Sequence, residues 1–436
     1  MKTYHIITFG CQMNEHDSEN IAGMLEALGY QEVTDPQAAG LVVMNTCSIR
    51  ENADKRFFGM LGQYKNRKKA DPDFLMCVCG CMPQQPHIVE ELRKRFSWVD
   101  IVFGTQTIAE FPLLLQERLR TGKKQFSIVA NSPVLPEEKD PKRVHRHKAL
   151  VNITYGCNNF CTYCVVPYTR GREKSRSLQD VRQEVLGLVQ DGVREVMLLG
   201  QNVNSFRDAE GNDFAALIRS LDEIPGLDRI RFMTSHPKDL SDDLIRCFAE
   251  CESLCHNIHL PVQAGSDTVL RRMNRHYDRA RYLGLVRKLR EACPDISIST
   301  DIIVGFPGET EEDFEETLSL VNEVQYDSAF TFLYSPRKGT PAAGFKDQIP
   351  EAVKHERFNR LVEAINDSSV RKNKAYEGRV VEVLVDGRSR KDADRYEGRT
   401  DSFKLVNFSS PADVTGELVR VRITAARTFS LEGEIV

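Results

Sequence analysis

The sequence predicts an α/β chain in three parts: an N-terminal parallel α/β domain over residues 1–125, a partial (β/α)6 barrel over 149–350, and a small C-terminal antiparallel β-barrel over 376–436. Three observations carry that expectation. Apolar strand-like runs alternate with helical patterns through the first two parts, which implies parallel strands joined by right-handed crossovers. After about Gly378 the texture changes to short β runs separated by turn residues. The length of 436 residues is too great for one hydrophobic core and suits two or three domains.

In the first part the strand candidates are TYHIITFGC, GLVVMNTCSIRE, DFLMCVCGCM and VDIVFG, with helical patterns in SENIAGMLEALG and HIVEELRKRF. Residues 126–148 are expected to be a linker, because NSPVLPEEKDPKRVHRHK holds three prolines among many charges. Six strand candidates follow: ALVNITYGC, REVMLLGQNVNSF, RIRFMTSHP, HNIHLPVQAGS, ISISTDIIVGFPGE and SAFTFLYSP. Helical patterns separate them, among them SDDLIRCFAECESL and VLRRMNRHYDRARYLGLVRKLREA. Chemistry in parallel barrels sits at the C-terminal ends of the strands. Here those ends carry Gly156, Cys157, Gln201, Asn202, Ser235, His236, Gln263 and Asp301. Residues 351–375 read as a connecting helix. RVVEVLVDG, FKLVNFSS, GELVRVRITAA and SLEGEIV supply the final barrel, of a kind that often binds nucleic acid.

Composition narrows the function. With 41% hydrophobic and 28% charged residues and a net charge of -4, no basic excess dictates a nucleic-acid partner, so any such surface is a local patch. The opening MKTYHIITFGCQMN lacks a secretory apolar core, and nowhere do apolar residues run long enough to span a membrane. A cytoplasmic location with no membrane partner is expected. Reduced thiols prevail there, so twelve cysteines point to metal or redox chemistry rather than disulfides.

Cys157, Cys161 and Cys164 form a CxxxCxxC run in YGCNNFCTYC. Such a run is a zinc site, three unrelated buried thiols, or three ligands of an iron–sulfur cluster. Zinc sites favour a second Cys or His pair close by, and none follows. Three thiolates on a [4Fe-4S] cluster leave one iron open to bind something else. A second group lies earlier: Cys11 in TFGCQMN, Cys47 in NTCSIRE, and Cys77, Cys79 and Cys81 in CVCGCMPQ each stand in or just beyond an apolar strand. One thiol from each strand end could converge on one face. Cys247, Cys251 and Cys255, spaced by four, read as the buried stripe of one helix, with Cys293 unassigned.

CNNFCTYC after the first strand of a partial parallel barrel resembles the radical S-adenosylmethionine superfamily, in which the open iron binds S-adenosylmethionine. GCQMN, NTCSIRE and GCMPQ are similar to the methylthiotransferase branch of that superfamily, with its cluster domain, radical-SAM barrel and TRAM-like RNA-binding β domain. YGCNNFCTYCVVPYTRGREKSR, LGQNVNSF, SHPKDL, HLPVQAGSDTVLRRMNRHY and DIIVGFPGETEEDF look like its tRNA (MiaB) branch. The resemblance implies two [4Fe-4S] clusters, an auxiliary one on Cys11, Cys47 and Cys81 and the radical one on Cys157, Cys161 and Cys164, and leaves Cys77 and Cys79 to the core. It implies transfer of a methylthio group to C2 of N6-(dimethylallyl)adenosine at position 37 of tRNA, one S-adenosylmethionine methylating sulfur and a second giving the radical.

Further site expectations rest on position at the strand ends and on that resemblance. Gln201, Asn202, Ser235, Gln263, Asp301, Gly305 and Arg176 are candidates for S-adenosylmethionine, with GFPGE (305–309) along its adenine. Arg170, Arg172 and Lys174, with the basic run KRVHRHK, are candidates for RNA. The implied partners are the tRNA anticodon stem-loop, an electron donor such as a flavodoxin or ferredoxin, and iron–sulfur assembly proteins. Ala264, Pro83 and DSFKLVNF depart from the family wording and touch no proposed ligand. The alternatives are the same chemistry on N6-threonylcarbamoyladenosine or on a ribosomal protein, and a non-catalytic RNA-binding protein stabilised by metal.

Overall fold

The computed structural model describes residues 2–48, 51–130, 132, 141–389 and 392–436, with the side chains of 51–55 excepted. Part of the expected linker, residues 131 and 133–140, therefore lies outside the described residues.

The N-terminal sheet contains β1 (Thr3–Thr8), β2 (Gln31–Glu32), β3 (Leu41–Thr46), β4 (Leu75–Gly80), β5 (Ile101–Phe103) and β6 (Gln125–Ser127), all parallel in the order β2-β1-β3-β4-β5-β6. Helices α1 (Gln12–Ala27), α2 (Glu51–Ala70), α3 (Pro86–Arg95) and α4 (Phe111–Thr121) make the crossovers. Strands β3 and β4 are buried at every position, as a sheet covered on both faces requires. The sequence pattern had not shown α2 or α4, and β6 begins at residue 125, so the sheet continues into the expected linker. α2 is rich in Lys, Arg, Asn and Gly, which leaves a thin apolar stripe to detect.

The second part is built on β7 (Lys148–Asn152), the short pair β8 (Thr154–Tyr155) and β9 (Lys174–Ser175), then β10 (Glu195–Leu199), β11 (Arg229–Phe232), β12 (Asn257–His259), β13 (Ser297–Val304) and β14 (Ser328–Leu333). Two parallel three-stranded sheets, β11-β10-β7 and β12-β13-β14, meet through the bridge Ile230 to Leu254, giving the expected six-stranded open barrel. Its helices are α5 (Val166–Thr169), α6 (Leu178–Gln190), α7 (Phe214–Asp222), α8 (Asp242–Glu250), α9 (Asp267–Arg272), α10 (Arg279–Ala292) and α11 (Glu311–Val324).

Two expectations need correction here. VLRRMNRHYDRARYLGLVRKLREA is not one helix: Asn274 and His276 take positive φ, and the Asp278 side chain accepts from Arg281 N–H to cap α10 afresh. Cys247, Cys251 and Cys255 are not one helical stripe either. α8 ends at Glu250, Cys251 is its C-cap, and Cys255 lies in the following bridge segment, although all are buried.

Helix α12 (Glu351–Lys374) connects to a closed barrel of β15 (Val380–Arg388), β16 (Tyr396–Thr400), β17 (Leu405–Ser409), β18 (Leu418–Ala426) and β19 (Leu431–Ile435). It is antiparallel except where β17 and β19 run parallel, because an odd number of strands cannot alternate around a closed ring. This barrel docks on the N-terminal ends of the radical-barrel strands. Arg231 donates to Thr400 O at 2.7 Å and Asp401 O at 2.8 Å, Arg229 to Arg399 O at 2.7 Å, and Lys404 pairs with Asp327 at 2.7 Å. Phe403 reaches the lumen, packing on a cluster of Tyr155, Met197 and Leu199 that also takes in Met13 of α1. The lumen is thus lined by residues from all three parts.

Candidate functional site

Sheet order brings the first cysteine group together. β1, β3 and β4 are neighbours, and Cys11, Cys47 and Cys81 follow their C-terminal ends. Cys11 and Cys47 lie where the strand order reverses, the crevice in which doubly wound sheets bind ligands. Cys11 caps α1 and Cys81 opens the 3-10 turn Met82–Gln84. Gly10 lets the chain beside Cys11 lie against Cys47: a Cβ there would sit 2.6 Å from Cys47 Cβ and 3.0 Å from its Sγ. Gly80, at φ +94°, lets β4 run into Cys81 where a Cβ would meet Thr46 O at 2.3 Å. Asn14 ties two of the loops, its amide donating to Asn45 Oδ1 at 2.9 Å and Thr46 O at 3.0 Å, while Asn45 donates to Asn14 O at 2.8 Å. Burial pushes the Cys81 thiol up, against the opposing pull of the nearby Arg170 charge. Cys77 and Cys79 point elsewhere, fully buried among Tyr4, Val43 and Phe103.

The second group needs no sheet to assemble it. Cys157 follows β8, and the loop carries Cys161 and Cys164 before α5. Arg275, placed by the break between α9 and α10, donates to Cys161 Sγ at 3.5 Å and to Pro261 O at 2.9 Å. Asn159 N–H donates to Cys157 Sγ at 3.5 Å. Burial pushes Cys157 up to about 11 and Cys164 up to about 12, so both are neutral thiols unless a cation takes the place of the proton. Among the described residues no three His, Cys, Asp or Glu side chains are grouped closely enough to hold a single metal ion.

Polar groups around the radical loop fit a bound cosubstrate. Gln201 Nε2, Asn202 Oδ1, Ser235 Oγ and His236 Nε2 are buried with no hydrogen-bond partner, and buried polar groups seldom stay unpaired without a ligand. Gln201 Oε1 accepts from Gly156 N–H, and Asn202 donates to Asp239 at 2.7 Å, which aims their other atoms. Gln263 stands at φ +71°, bonded through its backbone to Asp301 O at 2.8 Å. Asp301 is inside β13 rather than at its end, and its Oδ1 is 3.4 Å from His259 Nε2. At Gly305 a Cβ would meet Lys354 Cγ of α12 at 2.4 Å, and Glu309 closes the turn by accepting from Gly305 N–H at 3.0 Å and Arg357 at 2.9 Å.

The arginines divide. Arg176 pairs with Glu184 at 2.5 Å and donates to Asn152 O at 2.9 Å. Arg172 is exposed with its guanidinium 4.4 Å from the Phe160 ring centroid, and Lys174 donates to Ser132 O. Arg170 departs from its expected place facing RNA: it is 5% exposed and paired with Asp17 at 2.7 Å, which removes it from contact with a phosphate. In the basic run KRVHRHK, Lys142 is likewise held between Glu26 and Glu32, at 2.5 and 2.7 Å. Sequence reasoning missed Asn14, Asp17, Arg275 and Met13. Asn45 inside the apolar run VVMNT was the one visible sign of that polar network.

Comparison with known proteins fits this layout. Residues 151–321 match the Radical SAM superfamily, 3–104 match Uncharacterized protein family UPF0004, and 374–436 match the TRAM domain. Over 440 residues, 99% of this chain and 96% of the relative, it is 52% identical to a tRNA-2-methylthio-N(6)-dimethylallyladenosine synthase of Clostridium botulinum. The chain belongs to this synthase family. A synthase of Clostridium perfringens is also 52% identical, over 100% of this chain and 98% of the relative. Among solved structures, the radical S-adenosylmethionine methyltransferase TsrM from Kitasatospora setae shares the fold at TM-score 0.55 and 14% identity, covering 79% of this chain and 75% of that one. No helix among the described residues is long and apolar enough to cross a membrane.

Proposed function

We propose that the chain is a radical S-adenosylmethionine methylthiotransferase that adds a methylthio group to C2 of N6-(dimethylallyl)adenosine at position 37 of tRNA. The end-to-end 52% identity to the synthases carries this reading. The site supports the chemistry through two groups of three thiols on adjoining loops at one barrel mouth.

A [4Fe-4S] cluster with S-adenosylmethionine supplies a 5′-deoxyadenosyl radical, which the aromatic C–H bond at C2 calls for because no base or nucleophile attacks it at neutral pH. Cys157, Cys161 and Cys164 are the three thiols that would hold that cluster, with the cosubstrate as its remaining partner. Gln201, Asn202, Ser235 and His236 orient the cosubstrate through the polar atoms they leave unpaired, with Gln263 and the Gly305 turn beside it. Arg275 fixes the Cys161 rotamer. Met13, Tyr155, Met197 and Leu199 keep water from the lumen.

Cys11, Cys47 and Cys81 are the thiols that would hold a second [4Fe-4S] cluster. Arg172 and Lys174 contact the RNA at the rim, where an unstacked loop base can be splayed out. A flavodoxin or ferredoxin supplies electrons, iron–sulfur assembly proteins load the clusters, and the work is done in the cytoplasm. The test is mass spectrometry of nucleosides from bulk tRNA of cells lacking this protein. The 2-methylthio-N6-dimethylallyl nucleoside disappears and its unthiolated precursor accumulates; persistence of the methylthio nucleoside contradicts the reading, and loss of a threonylcarbamoyl derivative instead reassigns the substrate.

A further inference from the structure

Arg170 belongs to the radical-site loop, six residues after Cys164, yet its side chain leaves that domain. Its Nη2 is 2.7 Å from Asp17 Oδ2, with side chains only 5% and 6% exposed, so the pair crosses the domain boundary in a nearly dry setting. The same guanidinium lies within electrostatic reach of Cys81 and Cys11. Two further bonds fasten the main chain beside it. Thr105 Oγ1 donates to Thr169 O at 2.8 Å, and Gln106 Nε2 donates to Arg170 O at 2.7 Å. Gln84, in the turn that Cys81 opens, donates in its turn to Thr105 Oγ1 at 3.1 Å. One continuous set of contacts therefore joins the Cys81 turn to the loop that ends the radical cysteines.

A buried ion pair is weak grounds for stability, since an apolar pair of similar size often serves as well. Its charge is another matter. A guanidinium keeps its proton throughout the accessible pH range, and in a poorly screened site it favours whatever state of its neighbour carries more negative charge.

We propose that Arg170, held by Asp17, is a positioning residue for methylthio transfer: it locks the radical-site loop against Cys11, Cys47 and Cys81 and supplies the cation that sets the reduction potential of the cluster held there. This rests on the two-cluster reading above. Asp17 has two effects, orienting the arginine and partly cancelling its field. Removing either partner loosens the clasp, but the two removals change the charge beside the cluster in opposite directions.

The test uses the full chain with Cys157, Cys161 and Cys164 replaced by Ala, so that only the N-terminal cluster remains, and follows its reduction by electron paramagnetic resonance in a redox titration. Arg170→Met moves the midpoint potential to more negative values, Asp17→Asn moves it to more positive values, and Arg170→Lys stays near the parent, all with iron content unchanged. If Arg170→Met fails to hold iron, the upward shift in Asp17→Asn decides alone. Shifts of the same sign, or none, in a loaded protein overturn the proposal. A parent without iron overturns the two-cluster reading itself.

Discussion

On the two-cluster reading proposed above, the two cysteine groups meet one demand, three thiols and an open corner, by different means. Cys157, Cys161 and Cys164 are held by eight consecutive residues, so the site is a property of a loop. Cys11, Cys47 and Cys81 come from three crossovers and meet only because β1, β3 and β4 are adjacent and parallel. The first site is local, and the second belongs to the whole sheet. Each has one buried arginine nearby, Arg275 bonded to Cys161 and Arg170 within electrostatic reach of Cys81, but Arg275 comes from the same domain and Arg170 from the other one. The contrast is one of assembly: the loop group needs one segment, while the sheet group needs the register of three strands.

Loss of ligands separates the sites most sharply. Cys161→Ala is expected to abolish 5′-deoxyadenosine formation, whereas Cys47→Ala abolishes methylthio product and leaves 5′-deoxyadenosine formation in place; chromatography of both products from one incubation checks this. The glycines come next. Gly80→Ala forces a Cβ to within 2.3 Å of Thr46 O, and Gly156→Ala one to within 2.2 Å of Arg172 O, both at positive φ. Each change is expected to cost more than the ~1–3 kcal/mol of a strained backbone position. Iron is lost first from the site that the glycine precedes, readable as iron per chain beside the melting temperature.

A smaller effect is expected at the polar tie. Asn14→Ala removes the donor to buried Asn45 Oδ1, while the Asn45 amide keeps the Asn14 carbonyl and Ser18, a loss of about 1–3 kcal/mol. It lowers iron retention at the sheet site on dilution while sparing the loop site. Equal loss from both sites would contradict the distinction between them.

The weakest effect lies away from both sites. Burial, reinforced by the Lys148 charge, depresses His147 to about 4, and the ring packs against Gly416 of the C-terminal barrel. The unfolded chain therefore binds this proton first as pH falls below about 6.5, so the His147 penalty grows through that range and levels off below about 4. His147→Gln flattens that part of the melting temperature against pH and leaves the behaviour above pH 7 unchanged.

How much was legible in the sequence follows the same division. The loop site could be seen in spacing alone, because its ligands are close in the chain. The sheet site could be seen only by asking where each strand ended, and choosing Cys81 over Cys77 and Cys79 rested on family resemblance. The reason is visible in β4, where Cys77 and Cys79 alternate into the core and the bend at Gly80 releases Cys81 toward the crevice. The break after Met273 was hidden because the apolar spacing continues through it, although Asn274 and Asp278 are the residue types that turn and cap a chain. The direction of Arg170 could not be read at all. Nothing in PYTRGREKSR distinguishes an arginine facing solvent from one crossing to another domain; only the partner, Asp17, 153 residues earlier, decides it.

The central claim is that the chain holds two clusters, each on three of its own thiols. Its most direct test is iron and acid-labile sulfide per chain after anaerobic purification and reconstitution, in the native protein and in two variants, one with Cys11, Cys47 and Cys81 and one with Cys157, Cys161 and Cys164 replaced by Ala. Two cubane clusters give about eight irons in the native chain and about four in each variant. About four irons in the native chain, unchanged when Cys11, Cys47 and Cys81 are removed, would contradict it.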